Sequence, residues 1–478
     1  MSYPWDLVMD LGYIAVLLIV AWLIRKALPF LKTFRVPDAI IAGIIGVILG
    51  PSILKILPFQ TDRMAAIVYH FSTIAFTALA LRREEQKGRT RTAISTGFYN
   101  GVSYAIQGGL GLLITLILIK TIYPNLFPAF GLFLPFSFAQ GPQMAGSMGT
   151  EWGNIVLPSG KKALEFGTSV GFSFSTIGLF WACFVGVPLM NWLIRRRLKK
   201  EGKKPREVLK ATPESVKVEE KGTTSDFSVD KMTIQVAIIL VIYVILFFCL
   251  KGLTWVLSTY TPKDLASTIV PIFWSIQFVF GALIGTAVGK IIHTLEDRKI
   301  LKERISDDHL LQHLGGLAID FMIAASIAAI DIRVFQAYIV PILLITTLGG
   351  LATIGYTWFL VKLVWPKTFV EHFVAFFGDQ TGTLASGMAL LRGVDPEFKT
   401  SATSDLVYGS AMALPIAAPL IFVAAIPIYG LKTGQPQYYW WTLLILLGYL
   451  ALVLGLWLNP WSFKYLTKHS RVDKVEKK

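Results

Sequence analysis

The chain has 478 residues, 54% of them hydrophobic, with a mean hydropathy of +0.60 and a formal net charge of +15 from 45 Lys and Arg against 30 Asp and Glu. Long charge-free runs exclude a soluble globular domain, and their continuity excludes a β-barrel, whose strands are alternating segments of roughly ten residues. The basic excess lies in the connections between runs, where anionic lipid accounts for it, and nucleic-acid binding is not needed.

The chain therefore reads as an all-α polytopic protein of the cell inner (plasma) membrane. In chain order, helical spans are predicted at 8–25, 37–55, 64–81 and 94–120, followed by an interrupted apolar stretch at 125–158 and a fifth span at 165–194. A hydrophilic cytoplasmic linker, 195–231, opens on Arg195, Arg196 and Arg197 and continues through prolines, acids and hydroxyl residues. Spans then follow at 232–252, 266–289, 314–332 and 335–363, a second interrupted stretch at 372–393, spans at 406–431 and 437–460, and a basic tail. Every second connection is basic, beginning with Arg25 and Lys26, then Arg82 and Arg83, then the Arg195 cluster, so the N-terminus is expected outside and the C-terminus inside. Asp6 and Asp10 stand where a cleavable signal would carry its basic residues.

The two interrupted stretches share a Gly-x-Gln string: Gly141-Pro142-Gln143 and Gly378-Asp379-Gln380. Irregular backbone at bilayer depth is tolerated only inside protein or along a cavity, so both are expected to be interior hairpins. With the predicted topology they enter from opposite faces. The halves then form two inverted five-helix repeats, each with a re-entrant hairpin, plus one extra C-terminal helix. The divisions are 1–194, the linker 195–231, 232–432 and 433–478. The offsets from Gly141 to Gly378 (378 − 141 = 237), Pro188 to Pro427 (239) and Gly167 to Gly409 (242) agree with that repeat. Paired interruptions of this kind are where secondary transporters hold their cargo.

The chemistry points the same way. A broken helix offers backbone N–H groups to a carboxylate at its N-terminal end and carbonyls to a cation at its C-terminal end. Gly141, Gln143, Gly146, Gly378, Gln380, Thr381 and Gly382 are the candidate solute-binding residues, although packing and turn capping would also account for single members of the set. Asp379 and Asp320 are the candidate cation-coupling residues, because a carboxylate at depth needs a cation, a proton or a partner. Asp331 is expected to pair with Arg333, and capping or solvation suffices for Glu151, Glu165, Asp38 and Asp405. Cys183 and Cys249 read as packing residues, and His70 as either a packing residue or one near the solute path.

Phe34-Arg35-Val36-Pro37-Asp38-Ala39-Ile40-Ile41-Ala42-Gly43, the Phe71-to-Leu81 run with Arg82-Arg83, and the two Gly-x-Gln hairpins resemble the bacterial sodium/glutamate symporter family, over residues 34 to 430. The resemblance implies an elevator-type, Na⁺-coupled symporter of an anionic amino acid or dicarboxylate, glutamate first, working as a homodimer, with Na⁺ held near Asp379. An H⁺-coupled transporter of another organic anion, a passive channel and a membrane-embedded enzyme are the alternatives the residues leave open. An ATP-driven pump is not among them, because Gly285-Thr286-Ala287-Val288-Gly289-Lys290-Ile291 has the wrong spacing for a phosphate loop and lacks the hydroxyl after Lys.

Overall fold

A computed structural model describes residues 5–34, 36–83, 90–157, 159–200, 229–301, 304–396 and 399–467, and every regular element among them is helical. The first half contains α1 (Trp5–Ala27), α2 (Asp38–Leu49), α3 (Thr61–Ala80), α4 (Thr90–Thr121) and the short pair α5 (Phe133–Phe138) and α6 (Pro142–Asn154). It ends with α7, which runs over Gly167–Phe180, a π-helical turn at Trp181–Val185 and Gly186–Lys200. The second half contains α8 (Val229–Tyr260), α9 (Lys263–Ser275), α10 (Gln277–Asp297), α11 (Asp308–Ala328) and α12 (Ile339–Val364). A second short pair, α13 (Phe369–Thr381) and α14 (Leu384–Val394), precedes α15 (Ala402–Val423), α16 (Ala425–Thr433) and α17 (Gln437–Leu458). The helix of α7 extends through the Arg195–Lys200 cluster, and the predicted linker otherwise lies outside the described residues up to α8.

Among the described residues, ten helical runs are long and apolar enough to cross a membrane, and the chain is an all-α, multi-pass membrane protein. In such runs each backbone N–H and C=O is satisfied within its own helix, which the bilayer interior demands. The predicted second span is the exception. α2 stops after 12 residues at Gly50-Pro51, where the proline ring disfavours a helical residue before it. At 1.5 Å per residue, about 18 Å of helix is shorter than a core about 30 Å thick, and the non-helical residues 50–60 complete the return from Asp38, beside Arg25, to the start of α3, whose Arg63 pairs with Asp10.

The helices pack in two groups. α1, α2, α3 and α11 share a core containing Ile14, Ile40, Ile67 and Ile323, with Phe172 of α7 at its edge. α2 lies against α11, and α3 lies against both α10 and α11. α4 forms the spine of the second group, touching α12, α15 and α17, and Tyr99, Val361, Phe376 and Trp457 meet in one of its cores. Arg63 of α3 reaches the fully buried Asp10 of α1 at 2.6 Å, and Arg25 clamps Asp38 through two nitrogens. Asp38, expected to be solvated or capping, is thus half of an ion pair. Asp331 pairs with Arg333 at 2.7 Å, as its position suggested. Cys183 is buried, whereas Cys249 is exposed on α8 and does not pack inside the protein.

Candidate functional site

Both interrupted stretches fold as two helical arms joined by a short break. In the first, the turn Phe130–Leu132 and α5 lead to a break ending at Gly141, and Pro142 opens α6 with a φ that suits a first helical position. Gly141 has φ +86° and ψ −177°, a conformation essentially confined to glycine. In the second, α13 ends at Thr381 and α14 starts at Leu384, with Thr383 capping it by accepting from the Ser386 N–H.

The two breaks meet. A Cβ built on Gly141 would stand 3.4 Å from Thr383 Cγ2, which sets the N-terminus of α6 beside the N-terminus of α14. Arms and neighbours approach at backbone distance. Gly111 of α4 lies against Gly131, Gly149 of α6 against Gly167, and Gly178 of α7 against the Thr381 carbonyl. A side chain at any of these would separate the elements.

The Gly-x-Gln strings, however, occupy different places in their hairpins. Gly141 is the break itself, whereas Gly378 lies inside α13 and packs on Gly387 of α14. The helix starts at Pro142 and Leu384 differ by 384 − 142 = 242, the same offset as Gly167 to Gly409 and five more than the 237 between the two Gly-x-Gln strings.

Behind the second break lies a polar cluster shared by α4, α12 and α13. Gln380 is fully buried, and its Nε2 donates to Asn100 Oδ1 and to Asp379 Oδ2, each at 2.9 Å. Gln107 Nε2 reaches the Gln380 carbonyl at 3.0 Å, the Tyr356 hydroxyl at 3.0 Å and Thr353 Oγ1 at 3.2 Å. Tyr356 also bonds Ser103, and Tyr99 bonds Thr357 at 2.7 Å. No group of three His, Cys, Asp or Glu side chains able to hold a metal occurs among the described residues.

Residues 6–369 match the sodium/glutamate symporter family. The chain belongs to that family. No curated protein and no solved structure matches it. Membership implies Na⁺-coupled glutamate transport, and the family is one of transporters rather than enzymes. The matched stretch of the symporter runs from α1 to the first residue of α13. It contains the first hairpin and the polar faces of α4 and α12, while Asp379 and Gln380 fall beyond it.

The symporter brings some of the sequence candidates together and leaves others apart. Gly141, Thr381 and Gly382 lie at or next to the meeting breaks. Gln143 is buried on the first turn of α6, donates to the Gln140 carbonyl and leaves its Oε1 without a partner. Gly146 faces the Phe172 ring and Gly378 faces Gly387, so both are occupied in packing. Thr381 donates to the Phe377 carbonyl of its own helix at 2.7 Å. Asp320 is exposed on α11, with Arg25 and Asp38 as its charged neighbours, and the structure does not bring it to the hairpins. His70 is exposed and bonds the Tyr243 hydroxyl.

Asp405 overturns an expectation. It is fully buried on α15 and bonds His372 Nε2 of α13 at 2.9 Å, so neither capping nor solvation describes it. Asn100, Gln107 and Tyr356 were not singled out from sequence. A usable signal was present: Asn100, Ser103 and Gln107 recur at i, i+3 and i+7, which lines one face of an otherwise apolar helix with polar groups.

Proposed function

We propose that this symporter takes up glutamate, or a closely related dicarboxylic amino acid, with Na⁺ as the driving ion, and that the solute sits where the two hairpin breaks meet. The observation that carries this reading is the contact of Gly141 with Thr383, which sets two helix N-termini side by side. Their free N–H groups and partial positive charge suit the two carboxylates of such a solute. The unpartnered Oε1 of Gln143 suits its ammonium group. Asp379, at the C-terminal end of α13 where helix carbonyls carry partial negative charge, is the cation-coupling residue.

The inverted-repeat reading is supported by two features. The 242-residue offset relates the second arms, and the packing is reciprocal, α2 on α11 answering α10 on α3. An elevator mechanism then moves the α4 and hairpin group against the α1, α2, α3 and α11 group within a homodimer. The test is uptake into proteoliposomes under an inward Na⁺ gradient across a panel of glutamate, aspartate and dicarboxylates lacking the amine. Glutamate is expected to be accumulated and to be competed by aspartate. Accumulation of an amine-free dicarboxylate in preference to either amino acid overturns the solute assignment.

A further inference from the structure

The polar cluster behind the second break has an imbalance that the hairpins alone do not explain. Gln107 and Gln380 are both fully buried, and the Oε1 atom of each has no hydrogen-bond partner. Neither amide can be turned round. Rotation of Gln380 would set its oxygen against the carboxylate of Asp379, and rotation of Gln107 would set its oxygen against the Gln380 carbonyl. The network therefore fixes both nitrogens inward and leaves two carbonyl oxygens bare. Asp379, buried beside them, forms no ion pair with a described residue.

Two bare amide oxygens thus share a cluster with a buried carboxylate whose hydrogen bond from Gln380 Nε2 leaves its charge without a counter-ion. Leaving such groups unmet costs about 1–3 kcal/mol for each neutral one and more for the charge. An anionic solute aggravates that imbalance and a cation relieves it. With one carboxylate and otherwise neutral oxygens, the set suits a hard monovalent cation better than a divalent one, which collects several carboxylates. We infer that the cluster between α4, α12 and α13 is the Na⁺ site, with Asp379, Gln380 Oε1 and Gln107 Oε1 as ligands. Asn100 and Tyr356 are positioning residues that hold the two amides in orientation. The inference rests on the Na⁺-coupled reading and adds α4, a helix outside both hairpins, as a wall of the ion site.

The experiment uses the purified full chain in detergent, melted across a NaCl series balanced with choline chloride to constant ionic strength, with KCl as a control. The wild type is expected to be stabilised by Na⁺ and not by K⁺. Gln107→Leu is expected to raise the Na⁺ concentration for half-maximal stabilisation at least ten-fold. Gln107→Glu, which loses the same N–H donor but keeps an oxygen, is expected to retain the response. A wild-type midpoint in Gln107→Leu overturns this inference alone. A wild type indifferent to Na⁺ overturns Na⁺ coupling, and the inference with it. Should Gln107→Leu fail to fold, Gln107→Glu still decides: a Na⁺ response lost in a folded Gln107→Glu contradicts the role given to the oxygen.

Discussion

In the proposed function Asp379 carries the heaviest load of any single residue, because its charge is buried beside neutral groups. Asp379→Asn keeps the shape and removes the charge. Na⁺-driven uptake is expected to fall by about ten-fold or more, equivalent to at least about 1.4 kcal/mol of lost coupling, and initial-rate uptake in proteoliposomes measures it. Gly141 is conformationally constrained in a different way: alanine there must adopt φ +86°, with its Cβ 2.9 Å from Gln143 Oε1. Gly141→Ala is expected to lose about 1–3 kcal/mol of stability, read as a lower Tm. At Asp331, the Arg333 guanidinium holds the carboxyl below its ordinary range, helped by Ser52. A lowered folded-state pKa gives stability that is full above the unfolded carboxyl pKa and is lost as pH falls through the folded one. The Tm difference between wild type and Asp331→Asn should therefore shrink on acidification, and a difference that grows contradicts the assignment. At this scale the burial of Asp379 and the Asp331–Arg333 pair were legible, since sequence alone exposes an acid at depth and a neighbouring base. The His372–Asp405 pair was not, because its members are 33 residues apart on helices whose packing decides the match.

Among the elements, the hairpins owe their seating to glycines that bring backbone onto backbone. Gly131 rests on Gly111 of α4 with no room for a side chain on either. Gly131→Ala is expected to push the first hairpin off α4 and cost at least about 1–3 kcal/mol. Size-exclusion of the detergent-solubilised protein should show a loss of monodisperse material, and an unperturbed profile and Tm argue against a tight seat. The helix–break–helix form of both stretches was legible because glycine and proline punctuate an apolar background. Their register was not. The shared Gly-x-Gln spelling drew Gly141 onto Gly378, although one starts a second arm and the other lies within a first arm, and only the helix starts restore the 242-residue offset. Likewise hydropathy runs on past Gly50-Pro51, while the helix of α2 does not.

For the whole molecule, we propose from the alternation of basic connections a sidedness that the fold alone leaves open. Single cysteines at Lys263 and Arg298, in a chain with Cys183 and Cys249 replaced by alanine, flank α9 and α10. A membrane-impermeant maleimide applied outside intact cells is expected to label Lys263→Cys and spare Arg298→Cys, and the reverse pattern inverts the topology. In the proposed mechanism the meeting breaks and Asp379 travel with the α4 and hairpin group against the α1, α2, α3 and α11 group. The most direct test of the central claim is glutamate accumulation in proteoliposomes with an inward Na⁺ gradient and matched pH on both sides. Glutamate concentrated above the external level, and released when the Na⁺ gradient is collapsed, is the predicted result. Equilibration without concentration, or accumulation that follows a proton gradient in the absence of Na⁺, would contradict it.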